Sequence, residues 1–348
     1  MSTQTNPDLE LLKSQLKEHP GSIDALYKLG VYCFELGDLK KGEDYLKKLL
    51  ALKPEHAGAL TLSSRLCREI GKLQEAEACL KYLVKAHPDD AEGWYDLGNI
   101  LRDQKKLNEA SVAFKRALEL NPEDQRAQYL IAVLKGDNPD SPPDDYVRSL
   151  FNPYASRFDD HLVHRLRYNV PEKLARLLRA LREGTPRLKS ALDMGCGTGL
   201  SGLAFRSQVK HLEGVDLAPN MLERARAKGV YHSLVHDSID HHLDSVEQSY
   251  DLFIATDVLI YLGAVEGLFE KVVERSRPGA WFVFSTESVE GPDFEALTSG
   301  RYSHSMFYIQ RLADQFKFEV SACQATDIRE EYGKGLPGHL FVLRSRAQ

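Results

Sequence analysis

The sequence predicts two parts of different class, an all-α solenoid of helical repeats followed by an α/β unit built on a mostly parallel seven-stranded sheet. Three observations predict it. Pro20, Pro54, Pro88 and Pro122 fall 34 residues apart without a slip; apolar β-like runs alternate with amphipathic helices from Ser190 onward; and the first run ends in a turn with Gly195, Gly197 and Gly199 at alternate positions. A fixed period of this length marks stacked helical pairs, whereas strands alternating with helices imply a sheet covered on both faces. With 348 residues, 43% of them apolar, the chain can supply a core for each part.

Residues 1–135 form the first part, with repeats at 23–56, 57–90 and 91–124. The third reads Trp94, Leu97, Gly98, Leu101, Ala110, Phe114, Ala117, Pro122 and resembles the tetratricopeptide repeat (TPR). The first two are looser, keeping Leu26, Leu29, Gly30, Leu46 and Leu49, then Leu60, Ala76, Leu80 and Leu83. Each repeat is expected to be two antiparallel helices packed through small residues, with proline ending the second because it cannot continue the hydrogen-bond ladder. Residues 7–20 read as a capping half repeat, and 124–135 as the helix covering the other end. Cys33 and Cys67 share a repeat position, as small core residues would. The concave face is expected to present Tyr27, Val31, Phe34, Thr61, Arg65, Arg68, Tyr95, Asn99 and Arg102. That mixture suits an extended acidic peptide of a protein partner; the other reading is solvated helix faces in an array that serves dimerisation or packing.

Residues 136–145, Gly-Asp-Asn-Pro-Asp-Ser-Pro-Pro-Asp-Asp, read as a linker that forms neither helix nor strand. The second part, 146–348, opens with a segment 146–168 in which Phe151, Tyr154, Phe158 and Leu162 recur at helical spacing beside Arg157, His161, His164 and Tyr168, which predicts a lid helix. Strands are expected at 190–194, 212–216, 231–236, 250–256, 280–286, 318–325 and 338–344. Ligands of such sheets bind beyond the carboxyl ends of the strands.

Residues 191–199 read Ala-Leu-Asp-Met-Gly-Cys-Gly-Thr-Gly, and Asp216 closes the next apolar run, 21 residues after Gly195. Glycine lets the backbone take φ > 0 and approach a ligand closely, and an acid after the second strand can accept both hydroxyls of a ribose. A dinucleotide fingerprint would want Gly-x-Gly-x-x-Gly, but position 200 is Leu. The stretch resembles the first motif of class I S-adenosylmethionine (SAM)-dependent methyltransferases, an acid two residues before Gly-x-Gly-x-Gly. The chain as a whole is similar to a bacterial group that carries TPR repeats ahead of a Rossmann-like methyltransferase domain. That resemblance implies SAM as cofactor and an antiparallel last strand, Gly338–Leu343. It implies that Asp193 orients the methionine part of SAM, that the backbone from Gly195 through Cys196 and Gly197 to Gly199 packs along it, and that Asp216 holds the ribose. Leu217 and Met221 would lie against the adenine, Asp237 and Ser238 at its amino group, and Thr256 and Asp257 near the ammonium.

On the acceptor side, the segment Phe151–Leu162 resembles the helix before the first motif in the same group, which makes Tyr154 and His161 candidate catalytic residues. His304, in Arg301-Tyr302-Ser303-His304-Ser305, is a second candidate base, since an ordinary imidazole suits proton removal at neutral pH; alternatively Ser303 or Ser305 caps the helix 306–316 and His304 lies half-exposed. Arg329 and Tyr332, before the final hairpin, are candidates for contact with an acidic acceptor.

Other features narrow the field. A net charge of −6 gives no basic excess for a phosphate backbone, so nucleic acid is not the expected partner. The start lacks a cationic leader and no apolar run approaches a membrane span, so a cytoplasmic protein is expected. Five cysteines without a C-x-x-C pair read as free thiols, and His232, His236, His241 and His242 read as surface-loop residues, so no metal is expected. The fourth strand leads into Ala-Thr-Asp-Val-Leu-Ile rather than Asn/Asp-Pro-Pro-Tyr/Phe, which disfavours amino methylation of a nucleobase or glutamine by that device. The expected function is methyl transfer from SAM to a protein, carrier-borne or small-molecule acceptor; the rivals are a TPR scaffold whose SAM-binding domain is catalytically silent, and an NAD oxidoreductase.

Overall fold

In the computed structural model, residues 7–331 and 333–346 are described. Tyr332 lies outside them. The chain divides into two compact units, Met1–Lys135 and Gly136–Gln348.

The first unit is a run of helices: α1 Pro7–Glu18, α2 Ile23–Glu35, α3 Leu39–Leu52, α4 Ala57–Glu69, α5 Leu73–Ala86, α6 Ala91–Asp103, α7 Leu107–Leu120 and α8 Gln125–Lys135. The proline period sets their ends. Helices α3, α5 and α7 stop two residues before Pro54, Pro88 and Pro122. Ser22, His56 and Asp90 then cap the next helices by accepting from the N–H of Ala25, Ala59 and Gly93, satisfying a donor that the first turn leaves without a partner. Asp124 does the same for Ala127 in α8. Successive repeats pack through Leu26, Leu46, Leu49, Ala59, Leu62 and Leu66, and Cys33 and Cys67 are buried as expected.

Two of the residues expected on the concave face are not available there. Tyr95 is buried against Phe114, with the Arg126 guanidinium 4.3 Å from its ring centroid, and Arg102 is buried beside Asp103. Arg65 and Arg68 remain half in solvent, paired across the repeat boundary with Asp96 at 3.4 Å and Asp103 at 2.6 Å.

The second unit runs α9 Asp144–Phe151, α10 Val170–Leu181, β1 Leu188–Met194, α11 Leu200–Phe205, β2 Val209–Asp216, α12 Pro219–Lys228, β3 Ser233–His236, α13 Ile239–Ser245, β4 Tyr250–Ala255, α14 Glu266–Glu274, β5 Ser276–Glu287, β6 Phe294–Ala296, β7 Tyr302–His304, α15 Met306–Gln315, β8 Phe318–Glu331 and β9 Lys334–Ser345. Seven strands form one sheet in the order β3-β2-β1-β4-β5-β9-β8, and β6 and β7 form a separate ribbon. Only β9 runs against the others, pairing antiparallel with β5 and β8, with Phe284 opposite Phe341. The period-2 alternation of the strands sorts the core onto two faces. Phe253, Phe282 and Phe284 meet Phe269, Ile309 and Leu312 of α14 and α15, while Leu252, Ile254 and Val283 meet Val170, Leu174 and Leu178 of α10 and Phe205 of α11.

Two expectations change. The segment 146–168 is not one helix: α9 ends at Phe151, a 3₁₀ turn spans Asn152–Tyr154 and a π-helical turn spans Asp160–Arg165. Proline at 153 supplies no N–H to the ladder, and the backbone, still right-handed at Asn152, tightens there into the 3₁₀ turn. The apolar stripe nevertheless stays together, with Phe158 5.5 Å from Tyr154 and 6.0 Å from Phe151 between ring centroids. The stretch 136–145 is no free linker either. Asn138 bonds both ways with the backbone of Phe294 and Ala296, the Asp140 carbonyl accepts from Gly263 and Ala264, and Asp144 and Asp145 already belong to α9.

Candidate active site

The turn after β1 holds the alternate glycines in the left-handed region, with φ of 63° at Gly195, 52° at Gly197 and 93° at Gly199. Only glycine takes such angles without steric cost. A Cβ at Gly197 would meet nothing within 4 Å among the described atoms, whereas one at Gly199 would lie 3.0 Å from the Tyr231 ring. The turn is therefore packed from below and open above Gly197, the shape a cradled ligand requires.

Asp216, at the end of β2, spans the mouth of this turn. Its Oδ2 accepts from Gly197 N–H and its Oδ1 from Ala218 N–H, both at 2.8 Å; each oxygen keeps a lone pair for a ribose hydroxyl. Burial pushes the Asp216 carboxyl above its ordinary range, opposed by those two hydrogen bonds. Asp193 lies deeper, 1% exposed, and accepts from the Tyr231 hydroxyl at 2.6 Å. Past β2, Met221 is buried with Ala218 against Ala155, Phe151 and Phe158, so the segment before α10 packs on the start of α12; the Leu217 carbonyl accepts from His236 Nε2 at 3.1 Å. Asp237 and Ser238 follow β3 and are partly committed locally: Asp237 accepts from Ser238 N–H and bonds His241 at 2.6 Å, and Ser238 caps α13.

Beyond β4, Thr256 is hydrogen-bonded to Ser201 of α11. Asp257 takes a left-handed φ of 59°, and its carboxylate receives Arg329 Nη1 at 2.8 Å. The side chain expected near the cofactor ammonium is thus tied into a network. Arg329, 4% exposed, also gives Nη2 to Glu287 at 2.5 Å and Nε to Glu331 at 2.9 Å, and Arg301 bridges the same two glutamates at 3.0 Å each. Burial raises the Glu287 carboxyl despite Arg301 and Arg329, while Glu331, less enclosed, is held below its ordinary range by the same pair. The acidic-acceptor role expected of Arg329 is therefore corrected, because its donors are spent on three carboxylates; Tyr332 lies outside the described residues.

Tyr154 and His161 are brought together, Oη to Nδ1, within one hydrogen bond. His304 is not part of that group. It is fully buried, donates Nε2 to the Gly263 carbonyl at 2.9 Å, and burial pushes its pKa down to about 4, so it lacks both access and basicity for general-base work. The cap expected of Ser305 is present, accepting from Tyr308 N–H at 3.0 Å. Among the histidines expected at the surface, His242 departs: it is buried against Glu213 at 2.8 Å. No cluster able to hold a metal occurs among the described residues, whose five cysteines are free.

The sequence carries no sign of Tyr231, Asp159 or Lys228 as site residues. Tyr231 fits beneath the turn because positions 199, 202 and 214 are glycine, and Asp159 takes hydrogen bonds from the Thr198 hydroxyl and from Lys228. Such partners are legible only once the fold joins distant stretches of chain.

Residues 163–320 match the family described as methyltransferase domain, and residues 34–100 and 91–124 each match a tetratricopeptide repeat family. Similar proteins include a ubiquinone biosynthesis O-methyltransferase of Hydrogenovibrio crunogenus, 27% identical over 28% of this chain and 42% of that one. Another is the human methyltransferase-like protein 27, 38% identical over 22% of this chain and 31% of that one. The chain thus spans less than half the length of either relative. Among solved structures, the N-methyltransferase NodS of Bradyrhizobium japonicum with S-adenosyl-L-homocysteine is 20% identical, covering 56% of this chain and 92% of that one at a TM-score of 0.42. No described helix is long and apolar enough to cross a membrane. With these matches falling on the repeats and on the glycine-turn sheet, the chain carries tetratricopeptide repeats followed by a methyltransferase domain.

Proposed function

We propose that this protein transfers the methyl group of SAM to a nucleophile on a protein or carrier-borne acceptor engaged by the repeat array. The observation that carries the reading is the glycine turn, left-handed at all three glycines and open above Gly197, with the Asp216 carboxylate across its mouth. SAM supplies a methyl group activated on a sulfonium. The rest falls to the chain's own residues. Asp216 accepts ribose hydroxyls, Asp193 and Thr256 face the methionine end, Leu217 and Met221 flank the base, and Asp237 with Ser238 closes that end. Phe151 and Phe158, with Tyr261 5.1 Å from Phe151, keep water from the transfer. The Tyr154–His161 pair takes the proton that the nucleophile gives up.

The network at the carboxyl ends of β4, β5 and β8 bears on the acceptor. Its three carboxylates, Asp257, Glu287 and Glu331, outnumber the guanidinium groups of Arg301 and Arg329. That excess of negative charge favours a hydroxyl, or an amine that arrives as an ammonium and gives up its proton before attack, over a carboxylate. The names of the similar proteins include both O- and N-methyltransferases. On the array, Tyr27, Arg65, Arg68 and Asn99 are the partner-facing residues of this reading.

The test is transfer of labelled methyl from SAM into fractionated cell extract by the full chain, its Tyr154→Phe and His161→Ala variants, and Arg65→Glu/Arg68→Glu. The pair variants are expected to lose about a hundredfold in kcat with SAM affinity kept, and the array variant to raise KM with kcat kept. SAM binding by the wild type with no label in any fraction would instead make the domain a silent sensor.

A further inference from the structure

Tyr231 precedes β3, far in sequence from the glycine turn, yet its ring lies directly under it. A Cβ at Gly202 would fall 2.5 Å from the Tyr231 ring and hydroxyl, and one at Gly199 or Gly214 would come within 3.0 Å of the ring. The hydroxyl accepts from Gly202 N–H at 3.2 Å and donates to Asp193 Oδ2 at 2.6 Å. Burial keeps this hydroxyl well above its ordinary pKa, so it remains a donor.

Asp193 itself is almost wholly enclosed. In register it lies between Gly214 of β2 and Ile254 of β4, so neither neighbouring strand brings a counter-charge to that position. The ionisable groups around it are the Tyr231 hydroxyl below, the Asp216 carboxylate at the end of β2 and the Cys196 thiol in the turn. Burial pushes its pKa up to about 7; the Tyr231 hydrogen bond opposes that and the Asp216 charge adds to it. A hydrogen bond to the charged form favours that form.

We propose that Tyr231 is a positioning residue for the cofactor: it fixes Asp193 by holding Oδ2 and keeps it a carboxylate, the form that attracts the ammonium of the methionine end. This rests on the reading that the domain binds SAM at Asp193. Cofactor affinity is then proton-linked. As pH falls through neutrality Asp193 takes up a proton, the attraction is lost, and binding weakens; without the Tyr231 hydroxyl the same loss sets in at higher pH. Tyr231→Phe keeps the ring that fills the glycine gap, so packing is preserved.

The experiment is calorimetric titration of the full chain with S-adenosylhomocysteine from pH 6 to 9, for wild type, Tyr231→Phe and Asp193→Asn, with thermal unfolding of each. Expected are an affinity for Tyr231→Phe about fivefold below wild type at pH 7, a midpoint about one pH unit higher, convergence with wild type at pH 9, and a flat profile for Asp193→Asn. A Tyr231→Phe profile that coincides with wild type, or is weakened equally at every pH, would overturn the proposal, the second outcome leaving Tyr231 only a packing role. Absence of wild-type binding at every pH would overturn the SAM reading itself, a result distinguishable from both.

Discussion

The carboxylate of Asp159 accepts a hydrogen bond from the Thr198 hydroxyl, joining the segment before α10 to the glycine turn. Lys228, at the end of α12, completes the joint by donating to Asp159 Oδ2 at 2.6 Å and to the Thr198 carbonyl at 2.7 Å. On the other side of the segment, Asn152 bonds Asn220 at the start of α12, and the Leu166 carbonyl accepts from Glu330 N–H. The covering segment is thus held from several elements around the strand ends.

Asp159→Ala should therefore act on ligand residence more than on folding. Asp159 is 40% exposed and Lys228 19%, and a pair this open contributes only about 0–1 kcal/mol to stability. We expect an unfolding temperature within about 2 °C of wild type and a several-fold faster release of S-adenosylhomocysteine, measured by competition with labelled ligand. An unchanged release rate would show that the Asn152 and Leu166 contacts hold the segment alone.

Arg329 presents the opposite case, a charge whose loss should be felt by the whole sheet. Its removal leaves Glu287, 1% exposed, with Arg301 alone, and takes the guanidinium from Asp257. Uncompensated buried charge costs about 3–5 kcal/mol, so Arg329→Met should lower the unfolding temperature by about 10 °C. Lysine cannot reproduce the three-way geometry of a guanidinium and should rescue little. Adding Glu287→Gln to Arg329→Met should recover part of the loss, since the two side chains are directly coupled. A double variant no better than the single one would place the cost in packing rather than charge.

How far the sequence could be read follows from which interactions are local. The repeat ends were legible because a proline recurs at a fixed offset and acts within a few positions of itself; the caps at Ser22, His56 and Asp90 emerged only with the fold. Gly98 was legible too, and the reason is steric: a Cβ there would stand 2.5 Å from Phe114. The glycine turn and Asp216 were readable for a similar reason, a short motif whose backbone angles demand particular residues. The Asp257–Arg329 contact spans 72 residues and the Asp193–Tyr231 contact 38, and no local pattern encodes either. His304 misled because its neighbours look like a polar loop; the β6–β7 ribbon and α15 enclose it, and a three-residue strand leaves little periodicity to detect.

The repeat array carries its own pH signature at Glu77. This carboxylate, 7% exposed, receives Lys81 at 2.6 Å, Lys106 at 2.7 Å and Gln104 at 2.9 Å. Burial alone would raise its pKa, but the hydrogen bonds from Lys106, Lys81 and Gln104 outweigh it and hold the group at about 2. The unfolded chain binds this proton near the ordinary glutamate value of about 4.3. Stability from the network is therefore fully present above that value and lost as pH falls from there toward 2. The shift corresponds to about 3 kcal/mol before allowing for the solvent around the two lysines, and about 2 kcal/mol after. Glu77→Gln should accordingly lower the stability of the array at pH 7 by about that amount, read from Trp94 fluorescence in a Trp281→Phe background. Wild type and variant should converge as the pH approaches 2; a gap that stayed constant with pH would assign the role of Glu77 to hydrogen bonding and shape rather than to its charge.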